Sequence, residues 1–201
     1  MTIKDKLDAL KNKANSEVVD EHLTGLAWMT KVYSQLGDHA AFLSESKLDL
    51  DTDGKKDPSI DSSKYDHDHQ DTTSLDTTGT WLNANKISYF VLPGGFATKV
   101  AGKVPRHGGI PLGCLGTLVY KEKLAHVVFA DIGPEHKFGE ASINAHRVLG
   151  FERVKNHSII DAGMDSGVYL LVYVGSQVSP LANFTQADID HQAAALWSKF
   201  I

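Results

Sequence analysis

The stretch that decides the fold lies in the second half of the chain, where residues 129–150 read FADIGPEHKFGEASINAHRVLG. An apolar run over 125–130 predicts a strand that leads directly into Asp131, and a Gly-Pro turn follows. Glu140 stands at the opening of a segment, 142–149, whose pattern predicts a short helix. Two carboxylates are therefore expected at the ends of rigid elements, joined by one short loop.

The surrounding sequence has the pattern of a β-rich domain. Four apolar segments predict strands, at 87–92, 112–120, 124–130 and 167–175. The polar turn at 121–123 predicts a hairpin, and the near-continuous apolar run of 167–175 predicts a central strand. Thr185 and Asp188 have the spacing of a capping box at the start of a terminal helix over 185–200.

The first half of the chain has a different character. Apolar residues over 4–36 recur at mixed three- and four-residue spacings, which predicts amphipathic helices that dock on the domain or bind a partner. Residues 44–80 are rich in Asp, Ser and Thr and predict a long loop, in which His67 and His69 are expected at the surface. We therefore expect an N-terminal helical segment over residues 1–40 and a β-rich domain over 41–201.

Composition limits the classes of partner. The 201 residues carry a net charge of -5, which argues against a nucleic-acid partner and suits a cationic polymer. The first residues lack the apolar core of a secretory signal, and no apolar stretch approaches the length of a membrane span. The single cysteine, Cys114, is expected to be a buried hydrophobic residue.

An acidic element precedes the β-rich region. Asp49, Asp51 and Asp53 alternate before Gly54, which resembles the first half of an EF-hand loop, but position twelve is Ile60 rather than Glu. Three interpretations stay open: a calcium site of another kind, a solvated acidic turn, and an acidic loop that faces a substrate.

Asp131 and Glu140 also allow two interpretations. Asp131 could cap a turn and Glu140 could complement a helix dipole. Alternatively, the two form the carboxyl pair of glycoside hydrolysis, in which one group protonates the leaving oxygen and the other acts on water or on the sugar cation.

Three segments, in this order, resemble the chitosanases of glycoside hydrolase family 75. They are the Asp-rich element of 48–58, the strand of 87–93 that ends at a proline, and the stretch 116–150 with its Asp-Ile-Gly-Pro and Gly-Glu-Ala-Ser motifs. The resemblance extends over about residues 48–175. It implies hydrolysis of β-1,4-linked chitosan with inversion, for which the two carboxyl groups stand about 6.5 to 9.5 Å apart.

Residue roles follow from this resemblance. It implies Glu140 as the general acid and Asp131 as the general base or cation stabiliser. The candidate substrate-binding residues are Asp49, Asp51, Asp53, Tyr89 and His136. The three aspartates would pair with glucosaminium groups, or one or two of them would instead act as the base. No cofactor is expected, with a calcium ion at the three aspartates as the alternative.

A second similarity concerns the fold. The sequence around Asp131 is similar to the double-psi β-barrel of expansins and lytic transglycosylases, which implies an α+β fold with a six-stranded double-psi-like barrel and N- and C-terminal helices. The rival functions are a peptidoglycan muramidase or lytic transglycosylase of effector or phage type, a non-catalytic glycan-binding module, and a calcium-stabilised structural domain. A polysaccharide partner implies a protein secreted or delivered outside the cytoplasm without a classical signal peptide.

Overall fold

The computed structural model describes residues 2–12, 15–22, 27–36, 39–61, 69–76, 82–94, 96, 109–134, 137–178 and 184–200. Within these ranges the helices are α1 (Ile3–Lys11), α2 (Ile143–Val148) and α3 (Gln186–Phe200). The strands are β1 (Asn15–His22), β2 (Ala27–Leu36), β3 (His39–Asp51), β4 (Tyr89–Pro93), β5 (Leu115–Tyr120), β6 (Lys123–Gly133), β7 (Glu140–Ser142), β8 (Val154–Lys155), β9 (Ser158–Ile159) and β10 (Gly163–Tyr173).

Six of the strands close into a barrel. They are hydrogen-bonded in the order β3-β10-β5-β6-β4-β7, and β7 pairs with β3 to complete the ring. The β4–β6 and β3–β7 pairs are parallel, and the other barrel pairs are antiparallel. The expected fold class, α+β with a six-stranded barrel core and helices near both termini, is confirmed.

Apolar side chains cover both faces of the barrel wall. One cluster, which includes Phe90, draws side chains from all six barrel strands and also includes Ala145 of α2. The other includes Tyr89 from the alternate face of β4, together with Leu7 of α1 and Ile189 of α3. Helices therefore pack against both clusters, and neighbouring residues of β4 belong to different ones.

Several predicted elements are confirmed. β5 and β6 form the expected hairpin, and β10 lies between β3 and β5 as a central strand. The backbone amides of Thr185 and Asp188 each bond to the other residue's side chain, which is the expected capping box of α3. Cys114 is fully buried, and burial raises the pKa of its thiol to about 11.

The helical prediction for residues 4–36 is wrong beyond Lys11. Residues 15–22 and 27–36 are the antiparallel strands β1 and β2, and β2 pairs with β3, so they extend the barrel sheet. Val, Thr, Trp and Tyr are frequent in these strands, and such residues favour extended backbone once a partner strand is present. Among the described residues of the segment 1–40, α1 is therefore the only helix.

The predicted loop over 44–80 is wrong in its first part, because β3 continues to Asp51. The polar serines of this segment favoured a loop in the prediction. Ser44 and Ser46 are instead buried on β3, because a serine side chain is small. Glu140 also lies on a strand, β7, rather than in the first turn of α2, which Ser142 caps. Among the described helices, each is too short or too polar to cross a membrane.

Candidate active site

Asp131 and Glu140 lie on the same face of the barrel wall as Val91. Val91 of β4 stands opposite Asp131 on β6 and opposite Glu140 on β7. Directly opposed residues of paired strands project to the same face, so the two carboxylates flank one valine. A β-bulge in the β4–β6 pairing, just before Val91, gives Asp131 this orientation.

The separation of the two carboxyl groups follows from the strand spacing. Strands on either side of a common neighbour lie about 10 Å apart. Glu140 leans across β4 toward β6, because a Cβ built on Gly133 would lie only 3.2 Å from Glu140 Oε2. Because Glu140 leans toward β6, the two carboxyl groups lie closer together than β6 and β7 do. The absence of a side chain at Gly133 leaves space for the Glu140 carboxyl group.

Glu140 is largely enclosed, with 11% of its side chain exposed. Burial raises the pKa of Glu140, the ammonium of Lys137 opposes this by lowering it, and the negative charge of Asp49 raises it further. Lys137 lies three residues before Glu140 and donates from Nζ to Oε1. Glu140 therefore combines a raised pKa with an ion pair to Lys137.

Asp131 is oriented by three donors that meet at one oxygen. Its Oδ1 accepts from the Ser74 amide at 2.9 Å, from Ser74 Oγ at 2.5 Å and from the Ile132 amide at 2.9 Å. Ser74 belongs to the segment that follows the acidic element, so that segment folds back over the end of β6. These bonds fix the carboxyl plane and orient Oδ2.

Asp51, at the end of β3, lies in the same cluster of acids. Its Oδ1 accepts from the Tyr89 hydroxyl at 3.0 Å and from the Asp53 amide at 2.8 Å. Burial raises the pKa of Asp51 well above its usual value, and the charges of Asp53, Glu140 and Asp131 act in the same direction. Asp51 is thus disposed to keep its proton.

Tyr89 is fully buried beneath these acids. Its hydroxyl oxygen also lies 2.9 Å from the carbonyl oxygen of Asp53, so its single proton is shared between that oxygen and Asp51 Oδ1. Burial, followed by the charge of Asp51, raises the pKa of Tyr89. The Tyr89 hydroxyl therefore contacts both Asp51 and the backbone of Asp53.

Asp49 and Asp53 contact basic side chains. Lys47 Nζ lies 2.7 Å from Asp49 Oδ2, and Asp49 stands directly opposite Glu140 in the β3–β7 pairing. Asp53 Oδ1 accepts from the Gln70 amide at 2.7 Å and lies 4.0 Å from Nδ1 of His69. The His69 side chain is only 8% exposed, which corrects its expected surface position, because its ring lies against Asp53 and Thr52 of the acidic element.

The barrel thus brings together Asp131, Glu140, Asp49, Asp51, Asp53 and Tyr89, which the sequence places in four separate segments. Two further predicted residues, the substrate-binding His136 and the surface histidine His67, lie outside the described residues. The substrate-binding role of the three aspartates stays a prediction.

A cation could be held by a slightly different set of acids from the one predicted. Carboxylate oxygens of Asp51, Asp53 and Asp131 lie within 4.8 Å of one another, whereas Asp49 pairs with Lys47. Such oxygens suit Ca²⁺ or Mg²⁺. The same proximity suits a protonated carboxyl group among carboxylates.

Two site residues were missed at the level of sequence. Lys137 could have been found, because it stands three residues before Glu140 on the same short loop. Ser74 carries no such signal, since it precedes Asp131 by 57 residues in an unpatterned polar segment.

Neither the protein-family models nor the curated proteins contain a match to this chain.

Proposed function

We propose that the protein is a glycoside hydrolase that cleaves a β-1,4-linked amino-sugar polymer, chitosan. The observation that carries the proposal is the placement of Asp131 and Glu140 on one face, on either side of Val91. Two carboxyl groups separated by about 6.5 to 9.5 Å admit a water molecule beside the sugar, as inversion requires. The strand spacing, shortened by the lean of Glu140, supports a separation in this range.

Glu140 is assigned as the general acid. A general acid must hold its proton near neutral pH, and burial of a carboxyl group is a common way to achieve this. Burial raises the pKa of Glu140 in its enclosed position on β7, which favours this role. Lys137 works against it in the free protein, so we expect a bound sugar to draw the ammonium away from Oε1.

Asp131 is assigned as the general base. The three donors on Oδ1 hold the carboxyl group in one orientation, and Oδ2 is the oxygen that we assign to the attacking water. Asp51, in the same cluster, would keep its proton and so limit the repulsion between the acids.

The acids beside the pair support a cationic substrate. Lys47 and Lys137 place ammonium groups on Asp49 and Glu140, which is the contact that glucosaminium groups would make in their place. Asp49 and Asp53 suit this role better than Asp51, because the raised pKa of Asp51 favours its neutral form. The net charge of -5 adds a general attraction for a cationic chain.

Product analysis tests the proposal. The purified protein is incubated with chitosan and, separately, with peptidoglycan, and the soluble products are identified by mass spectrometry. We expect glucosamine oligomers from chitosan. Muropeptides with hydrated or anhydro ends would retain the carboxyl pair but replace the substrate. Binding of either polymer without any product would contradict an enzyme and favour a glycan-binding module.

A further inference from the structure

A chain of polar groups runs from the protein surface to the back of the carboxylate site. It begins at Asp161, which is exposed and accepts from Nη1 of the buried Arg153. Arg153 Nε donates to Nδ1 of His146 at 3.0 Å, and His146 Nε2 lies 3.0 Å from the carbonyl oxygen of Asp49. The chain therefore connects a surface carboxylate with the strand that carries the acidic element.

The hydrogen bonds determine the tautomer of His146. A guanidinium only donates, so Nδ1 must accept from Arg153 and the ring proton must be on Nε2. Nε2 then donates to the carbonyl oxygen of Asp49. Burial lowers the pKa of His146 to about 4, which is consistent with a neutral ring at physiological pH. The imidazole is thus a fixed donor in a single orientation.

The hydrogen bond between His146 and Asp49 lies next to the predicted general acid, Glu140. The Asp49 amide donates to the carbonyl oxygen of Gly139 at 2.6 Å, and Asp49 stands directly opposite Glu140 where β3 and β7 close the barrel. His146 lies on α2, which begins immediately after β7. One buried side chain therefore ties α2 to β3, with the short strand of Glu140 between them.

We propose that His146 is a positioning residue: its Nε2–H bond to the Asp49 carbonyl sets the position of β3 relative to β7 and thereby places Asp49 beside Glu140. This inference rests on the proposed function, since it concerns the carboxyl pair of that reaction. Displacement of a catalytic group by about 1 Å can lower the rate about a hundredfold. Arg153 and Asp161 contribute by holding the imidazole ring.

Two substitutions of similar chemistry separate this role from general packing. His146→Gln can keep a donor near the Nε2 position, within reach of the Asp49 carbonyl. His146→Asn can keep an acceptor near the Nδ1 position for Arg153, but it is too short to reach Asp49. Both remove the ring and leave a buried amide, so the cost in packing is comparable.

The measurements are kcat and KM on chitosan oligomers, with hydrogen exchange at the Asp49 amide. For His146→Asn we expect kcat to fall about 10- to 100-fold, KM to change less than about threefold, and exchange to accelerate. For His146→Gln we expect all three values within about threefold of the wild type. Asp161→Asn, at an exposed carboxylate, gives a second variant that should fold, with a fall in kcat of about threefold.

Equal values of kcat and exchange in the Gln and Asn variants, whether normal or reduced, would overturn the positioning role. The same conclusion would follow if the Asn variant raised KM alone. A wild-type protein that cleaves no glycan would end the proposed function only. In that case faster exchange at Asp49 in the Asn variant than in the Gln variant would still support the tie between α2 and β3, and equal exchange would remove it.

Discussion

Glu140 lies between two opposing influences, and their balance sets its ability to donate a proton. Burial raises its pKa, and the Lys137 ammonium lowers it. The substitution Lys137→Met removes the cation but keeps a side chain of similar length, so the pKa of Glu140 should rise further. A general acid with a higher pKa stays protonated to higher pH. The basic limb of the pH profile of kcat/KM on chitosan oligomers should therefore move to higher pH.

The control for this prediction is Lys155→Met, at an exposed position on β8. It removes the same charge from the whole molecule without touching Glu140. An unchanged basic limb in Lys137→Met, or a shift to lower pH, would show that Glu140 is not the group that titrates there.

At the level of elements, the turn before β7 controls where Glu140 lies. Gly139 has a φ of +78°, and a Cβ at this position would lie 2.1 Å from the Lys47 carbonyl oxygen. Gly139→Ala must therefore push β7 away from β3, and we expect kcat to fall about tenfold or more. Gly167→Ala is a matched control, since its φ is +84° but nothing lies within 4 Å.

Both substitutions place a side chain at a positive φ, which costs about 1–2 kcal/mol of backbone strain. Urea unfolding measures this loss of stability. Only Gly139→Ala should also lose activity, and its loss of stability should be the larger of the two. If kcat were the same in both variants, the close contact of Gly139 with β3 would not position the site.

An element could be predicted when the residues that specify it lie close together in the sequence. The β5–β6 hairpin and the two later helices have apolar runs, turns and caps that are contiguous in sequence, and they were predicted. β1 and β2 were not, because their spacing fits a helix equally well and pairing with β3 decides the outcome. Tertiary pairing of this kind routinely overrides local preference.

The same reasoning applies to the site. Asp131 and Glu140 could be singled out because each adjoins a recognisable element. Their common face depends on the bulge in the β4–β6 pairing and on the β4–β7 pairing, which joins Val91 to Glu140, about 50 positions apart. No short-range pattern encodes such a register, so the approach of Asp51 to Asp131 was not predictable.

For the whole molecule, the acid cluster should lower stability at neutral pH. Folding raises the pKa of Asp51 well above its unfolded value, so the unfolded chain ionises first as pH rises. Stability from this group is complete below the unfolded pKa, about 3.9, and is lost above it. Asp51→Asn keeps an acceptor for Tyr89 but cannot ionise.

We therefore expect Asp51→Asn to have a higher Tm than the wild type at pH 7, and the difference to vanish near pH 3. Thermal melts across this range measure it, with Asp190→Asn, at an exposed site on α3, as the control. A difference in Tm that is independent of pH, or larger in acid, would contradict a buried protonated carboxyl. Sites that hold such groups commonly give up stability for function.

The central claim is that Glu140 donates a proton during cleavage of the polymer. The most direct measurement is the initial rate of chitosan-oligomer hydrolysis by the wild type, Glu140→Gln and Glu122→Gln, with the fold of each checked by thermal melting. Glu122 lies exposed in the β5–β6 turn, so its variant controls for loss of a carboxylate. We predict that Glu140→Gln loses about 10²- to 10⁴-fold in rate while remaining folded, and that Glu122→Gln retains full activity. Normal turnover by a folded Glu140→Gln variant would contradict the account.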